Sequence, residues 1–444
     1  MKPLAIYVHT VGCAKNLVDS EILLGQMGAA VELVEEGAAA DLIIVNTCGF
    51  IDAAREESID AVMEAVRLKD ERPGRRVAVM GCLSARYREE IRAEIPELDG
   101  VYGVGEFGAL LRDAGLKAAD PDAAGPDDLG LFTRRVLLSP AHSAYLRISD
   151  GCDQHCTYCS IPLMRGRMRS RPVADLRREA EHLARRGVKE INVIGQEISS
   201  YGRDLGGTDI TRLLRELDGC GAEWIRLLYS HPPLVDEAFA EAMAACPHVL
   251  PYLDFPVEHV AGAVLKRMAR RGDAASIAAR MDMLRARVPG LVLRSSLIVG
   301  FPGEREEDFE ELLAFLRQHP FDRLGVFLWS PEEGTPSLAY PDRVPRELAQ
   351  ERHDRVMEEQ MARSLAANLA LVGTRDRVLV DEPDEETGTS LARGYRDALD
   401  IDNSVEVRGL FRPGTFVEVE YVDALEYDLV ARPLAGRPAE DPPC

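Results

Sequence analysis

The feature that most restricts the fold is a repeated alternation of short β-rich apolar runs with longer helical stretches, present in two blocks of the chain. In the first block, residues 1 to 116, the runs are LAIYVHT (4–10), ADLIIVNT (40–47) and RRVAVMG (75–81), with helical segments such as Ile51 to Leu68 after them. Runs that are apolar on both faces mark buried parallel strands joined by crossover helices. The second block, 135 to 370, repeats the pattern with strands expected at 145–149, 190–195, 224–229, 252–257, 291–300 and 323–330. Helices are expected between them near 173–186, 209–217, 235–245, 274–287 and 305–318. Six or so such units point to a barrel or partial barrel, whose site lies at the carboxyl ends of the strands. A long helix is expected over Pro345–Leu371, and from Gly373 short alternating strands separated by turn residues indicate a small all-β barrel. Between the blocks, KAADPDAAGPDDLG (117–130) reads as a linker. The expected class is therefore α/β in three parts: an open parallel-sheet domain with linker (1–134), a partial (β/α) barrel (135–372) and a small all-β barrel (373–444).

Charge narrows the partners. The 444 residues carry 75 Asp and Glu against 53 Lys and Arg, a formal net charge of −22. The last part, 373–444, has 8 Arg and no Lys against 17 Asp and Glu. Such a surface repels phosphate backbones and suits a basic protein. No run of 18 apolar residues is present, so no membrane span is expected. Met1 to Cys13 faintly resembles a lipoprotein signal, but its apolar stretch is short, holds Pro3 and His9, and alternates like a strand. A cytoplasmic chain is expected. Nine cysteines in it are then more suited to metal or redox chemistry than to disulfides.

Six of the cysteines form two sets. Cys152, Cys156 and Cys159 make C-x3-C-x2-C directly after the first strand of the second block. Three thiolates fall one short of a structural zinc site, whereas on a four-iron cluster they leave one iron open for a substrate or cofactor. The alternatives are zinc completed by His155 or a distant ligand, or plain buried cysteines. Cys13, Cys48 and Cys82 lie 35 and 34 residues apart, each shortly after an expected strand. Strand ends meet along one edge of a parallel sheet, so the three can converge into a second three-thiolate site. Each alone is more often a small core residue. Cys220, Cys246 and Cys444 share no such placement and are read as bystanders.

Together these motifs resemble those of the radical S-adenosylmethionine methylthiotransferases over essentially the whole chain, with the last part similar to a TRAM domain. GCAKNLVDSE (12–21), YLRISDGC (145–152), IPLMRGRMRSRP (161–172), EWIRLLYSHP (223–232), LIVGFPGE (297–304) and GVFLWSPEEGTP (325–336) resemble the RimO branch, which methylthiolates an aspartate of a small-subunit ribosomal protein. The tRNA-adenosine branch usually differs in these stretches. Four positions depart from the family pattern. Glu258 stands where glutamine is usual, Asp150 and Asp153 replace the common glutamate and asparagine, and Trp329 replaces a frequent tyrosine.

The resemblance implies two [4Fe-4S] clusters. Cys152, Cys156 and Cys159 would hold the one that binds S-adenosylmethionine, whose reductive cleavage yields a 5′-deoxyadenosyl radical able to break an unactivated C–H bond. Cys13, Cys48 and Cys82 would hold the one that carries sulfur. Cofactor contacts are expected from Tyr158, Gly195, Gln196, Glu197, Arg294 and Ser296. For Gln196 and Glu197 the plain alternative is a polar loop and cap; for GFPGE (300–304), turn chemistry; for His231 and His259, satisfied structural histidines. Arg165, Arg167, Arg169 and Arg171 form the strongest basic run, suited to pairing with acids, to orienting a carboxylate, or to solvent. The expected partners are a small-subunit ribosomal protein of the S12 type and a flavodoxin- or ferredoxin-like electron donor. The sulfur donor is left open, and tRNA is the less suited substrate. A tRNA-adenosine methylthiotransferase and a non-catalytic iron–sulfur protein remain as alternatives.

Overall fold

The computed structural model describes residues 3–28, 31–116 and 132–434; the expected linker 117–130 and Cys444 lie outside these. The first five strands are β1 (Leu4–Thr10), β2 (Val31–Leu33), β3 (Leu42–Thr47), β4 (Arg76–Gly81) and β5 (Gly100–Val101), all parallel in the order β2-β1-β3-β4-β5. Every residue of β3 is buried. Ile43 and Val45 pack with Val62 and Val66 of the helix Asp52–Glu71, while Leu42 and Ile44 pack on the other face with Val18 and Ile22 of the helix Ala14–Met27. The two-residue period of a strand between two helical layers is what made these runs continuously apolar.

In the central part, β6 (Ser143–Arg147) begins a second parallel sheet, and β7 (Ser149–Asp150) and β8 (Arg169–Ser170) pair as a two-residue antiparallel ladder at the base of the cysteine loop. The sheet continues with β9 (Glu190–Ile194), β10 (Trp224–Leu227), β11 (Val249–Asp254), β12 (Val292–Val299) and β13 (Arg323–Leu328) in sequential order, with β6 and β13 at its two edges. This is an open partial barrel. The strand expected at 252–257 begins earlier, at Val249, and contains Pro251. Its register against β10 shifts between Ile225 and Leu227, and this irregularity accommodates a residue that has no N–H to donate.

The helix Arg346–Leu371 leads into five strands, β14 (Arg375–Asp384), β15 (Thr389–Arg393), β16 (Val405–Arg408), β17 (Phe416–Ala424) and β18 (Leu429–Pro433), closed into a barrel. Its segment 395–402 packs against the amino ends of the central strands. Ala398 joins one apolar cluster with Tyr145, Ile194, Trp224 and Tyr252. Around it, Arg226 donates to Tyr395 O at 2.7 Å, Tyr252 Oη donates to Asp402 at 2.6 Å, and Arg323 pairs with Asp397 at 2.7 Å. Glu190 is clasped between Arg226 (2.7 Å) and Arg393 (2.8 Å). The terminal barrel therefore floors the central one. That apolar cluster also takes in Ile6, Leu23 and Leu111 of the first part, so one core spans all three. Among the described residues no helix is long and apolar enough to cross a membrane.

Candidate functional site

Because β1, β3 and β4 are adjacent, the residues at their carboxyl ends are neighbours. Cys13 caps the helix Ala14–Met27, Cys48 follows β3 directly, and Cys82 opens the short helix Cys82–Arg86. Gly12, at φ +99°, lets the first turn approach the second: a Cβ there would stand 2.6 Å from Cys48 Cβ and 3.0 Å from Cys48 Sγ. Asn16 ties the three turns together. Its Nδ2 donates to Val11 O (2.9 Å) and Thr47 O (3.1 Å), and its Oδ1 lies 3.6 Å from Cys82 Sγ.

The thiols respond to one another. Burial, with repulsion from Cys13, raises the Cys48 pKa to about 11. Burial also takes Cys82 to about 12, with Arg165 opposing and the other two thiols adding to the rise. Cys13 moves the other way: burial acts to raise it, but Lys15, Arg165 and the N–H groups of Asn16 and Lys15 outweigh that and hold it below the ordinary thiol value. Three thiols inside one another's field, with two cations beside them, are a donor set that suits a polynuclear iron–sulfur centre. Among the described residues no three His, Cys, Asp or Glu side chains are gathered tightly enough for a single ion.

The second triad lies on a loop held at its base. Cys152 N donates to Gly166 O at 3.1 Å, Thr157 N and Oγ1 donate to Met268 O (3.1 Å) and Arg267 O (2.8 Å), and Cys159 N donates to Cys156 O at 3.1 Å. Burial raises the Cys152 thiol to about 11 and lifts Cys159 further. Arg270, which no sequence motif marked, places Nη1 3.8 Å from Cys156 Sγ, 3.3 Å from Tyr158 Oη and 3.9 Å from Glu258. Glu258 adopts φ +65° and donates its N–H to Ser296 O at 2.9 Å. Tyr158, Glu258 and Ser296 thus form one chain of contacts with Cys156.

The other side of the loop carries Gly195–Glu197. A Cβ on Gly195 would meet Ser149 Oγ at 2.7 Å, so the chain passes closely there. Gln196 Nε2 donates to Asp150 at 3.0 Å, while its Oε1 is buried without a partner. Glu197 accepts from the N–H groups of Ser199 and Ser200, the cap geometry weighed for it. Arg294 lies apart from both triads' loops, paired with Asp254 (3.0 Å) and with Asp402 of the floor (3.3 Å). His231 and His259 are buried, and burial lowers both to about 3. The GFPGE turn is capped by Glu304, which accepts from Gly300 N at 2.7 Å. Cys220 and Cys246 are small members of the central core.

The two triads meet across a junction. The helix Ile161–Arg165 packs on the helix that Cys82 begins. Buried Arg165 reaches through: Nη2 donates to Asn16 Oδ1 and Asp19 Oδ2, each at 2.8 Å, and Nη1 donates to Asp150 at 3.2 Å. Arg147 takes the other oxygen of Asp19 at 2.5 Å. Of the basic run, Arg171 is also internal, bound to Glu179 at 2.6 Å; Arg167 is exposed against Asp153, and Arg169 is exposed. The run is thus two buried ties and two outward residues, with no continuous basic face. Lys15, also buried, places Nζ 3.0 Å over the Tyr229 ring at the carboxyl end of β10.

Residues 5–103 match Uncharacterized protein family UPF0004, 146–316 the Radical SAM superfamily, and 372–434 the TRAM domain. In fold the chain is similar to the radical S-adenosylmethionine methyltransferase TsrM of Kitasatospora setae, with a TM-score of 0.54 and 16% identity over 76% of this chain and 74% of that one. It is also similar to the cobalamin-dependent S-adenosylmethionine radical enzyme OxsB, with a TM-score of 0.51 and 14% identity over 81% and 56%. The sequence relatives reach further. The ribosomal protein uS12 methylthiotransferases RimO of Anaeromyxobacter sp. (strain K) and Myxococcus xanthus are each 43% identical, over 98% and 97% of this chain and 94% and 92% of their own. Identity at that level over nearly the whole chain places it in the RimO family of methylthiotransferases.

Proposed function

We propose that this protein converts an aspartate of the small-subunit ribosomal protein uS12 to 3-methylthioaspartate; its relatives are named as methylthiotransferases of uS12, and the aspartate is what the motif resemblance implies. The observation that carries the reading is the meeting of two cysteine triads, one from each parallel sheet, across Arg165 and Lys15. Cys152, Cys156 and Cys159 would hold one [4Fe-4S] cluster, and Cys13, Cys48 and Cys82 a second. Bound there, the clusters and S-adenosylmethionine supply hydrogen abstraction from an unactivated carbon and a sulfur to place on it. The chain's own residues supply position and field. Asn16 locks the three turns of the first triad, Arg270 sets a cation beside Cys156, and Arg165 fixes one triad against the other. Tyr158, Gly195, Gln196 and Ser296 line the approach to the second triad and are the cofactor contacts; Arg294 and Glu197 act through the walls they brace. Domains 1–134, 135–372 and 373–444 then divide the work into sulfur carriage, radical formation and substrate docking. A flavodoxin- or ferredoxin-like protein serves as electron donor, and a ribosomal substrate implies a cytoplasmic site of action.

Mass spectrometry of small-subunit ribosomal proteins and tRNA nucleosides from source cells with and without this gene tests the reading. Loss of a methylthio increment on uS12 alone is expected. Loss from a tRNA adenosine instead would overturn it.

A further inference from the structure

Lys15 is 7% exposed, and among the described residues its Nζ makes no hydrogen bond or ion pair, resting instead 3.0 Å over the Tyr229 ring. The ammonium rests on the face of Tyr229, whose backbone holds φ +66° and whose N–H is fixed by Asp254 at 3.0 Å. Its electrostatic neighbours are Cys13, Cys82 and Asp254, with Arg165 opposing. Nζ is not one of the fully enclosed atoms without a partner, so its free donor directions open on accessible space at the junction, where a carboxylate can meet them. The other cation at the junction has no such capacity. Arg165 spends its two terminal nitrogens on Asn16, Asp19 and Asp150. Asp254 does not complete Lys15 either, being engaged by Tyr229 N and Arg294. Lys15 extends from the sheet bearing the first triad onto a strand end of the sheet bearing the second.

We propose that Lys15 is the receptor for the side-chain carboxylate of the substrate aspartate, fixing its β-carbon between the two triads. The inference rests on the aspartate reading above and adds a specificity determinant to it. The chemistry is direct: the carbon to be modified is bonded to the carboxyl carbon, so a charge-assisted bond to that carboxylate positions the reacting C–H within a bond length or two. A neutral amide in its place accepts more weakly from the same ammonium and brings an NH2 group that Lys15 cannot satisfy.

The test compares uS12 carrying its native aspartate with uS12 in which that residue is replaced by asparagine. Each is titrated without reductant against the iron-loaded wild type and Lys15→Met, then turned over with reductant. Wild type is expected to prefer aspartate, and Lys15→Met to lower that preference about 10- to 100-fold, the value of one hydrogen bond to a charged group. Lys15→Arg, which keeps the charge, is expected to retain most of it. Iron per chain is measured for each variant, and Lys15→Gln repeats the comparison if methionine disturbs loading. A preference unchanged in an iron-replete variant, or an equal loss for both substrates, overturns the assignment. A wild type that modifies neither substrate would instead refute the aspartate reading itself.

Discussion

Gly12→Ala is the substitution whose effect on the first triad is best defined by geometry. Gly12 holds φ +99°, and an added Cβ would stand 2.6 Å from Cys48 Cβ, an atom fixed by its own backbone. Carbon atoms rest about 3.5–4.0 Å apart, so the turns bearing Cys13 and Cys48 must separate by about 1 Å. The left-handed conformation costs an alanine about 1–2 kcal/mol, and forcing an extra methyl into a packed contact adds about 1–3 kcal/mol. A cost of about 2–5 kcal/mol lies within the range of a folded domain's stability, so the chain should fold with its first triad splayed. Gly74→Ala is the control, since Gly74 has φ +87° and nothing within 4 Å of the added Cβ. It bears the left-handed cost alone. After anaerobic reconstitution, Gly12→Ala should bind about half the wild-type iron, the share of one cluster of two. It should still cleave S-adenosylmethionine and fail to methylthiolate uS12; Gly74→Ala should match wild type in all three. Full iron and full methylthiolation in Gly12→Ala would refute the claim that these two turns form one metal site.

Cys156→Ala should lose about half the iron and all production of 5′-deoxyadenosine, whereas Cys48→Ala should keep that production and lose methylthiolation; iron assay and product chromatography check both. Arg165→Met removes a buried fork from three acceptors and should lower thermal stability by about 3–5 kcal/mol. Arg165→Lys should not restore it, because a single ammonium cannot span Asn16, Asp19 and Asp150. Burial acts to raise Glu190, but Arg393 and Arg226 outweigh it and hold the carboxyl at about 2. Its folded value thus lies below an unfolded value of about 4.3. The corresponding stabilisation, roughly 3 kcal/mol, is complete above that unfolded value and fades as pH falls toward 2. Glu190→Gln should therefore lower stability at neutral pH and flatten its dependence on pH between about 4.5 and 2, measured by denaturant unfolding across that window.

The alternation of apolar runs with helices made the three-part architecture legible, because parallel strands covered on both sides leave a continuous apolar trace. Four strands needed for pairing were too short to leave one: β2 has three residues, and β5, β7 and β8 have two each. Pro251 displaced the expectation for β11, since a proline ordinarily argues against an interior strand and only a register shift admits it. The cysteines could be grouped because each sits at the end of its own βα unit. Their partners could not. Arg270 comes to the site through long-range packing, and nothing near it in sequence marks its surroundings; Tyr229 ends an expected strand in a quoted motif, but its contact with Lys15 is likewise long-range. Net charge was a blunter guide. Asp381, Asp397 and Asp402 of the terminal barrel bind His142, Arg323 and Arg294 of the central one, so they are not available to a partner. The exposed acids, among them Asp384, Glu385 and Glu386 clustered at the β14–β15 turn, remain to attract a basic protein.

The floor made by residues 395–402 also bears on traffic. With the amino ends of the central strands occupied, approach to the second triad is left to the carboxyl side of those strands, where Arg165 and Lys15 sit at the seam with the first domain. The proposed cofactor and protein substrate would then approach from the same side. A protein substrate docked there would cover the way out for a spent nucleoside, so exchange of S-adenosylmethionine is expected to precede docking and to resume only after the modified protein withdraws.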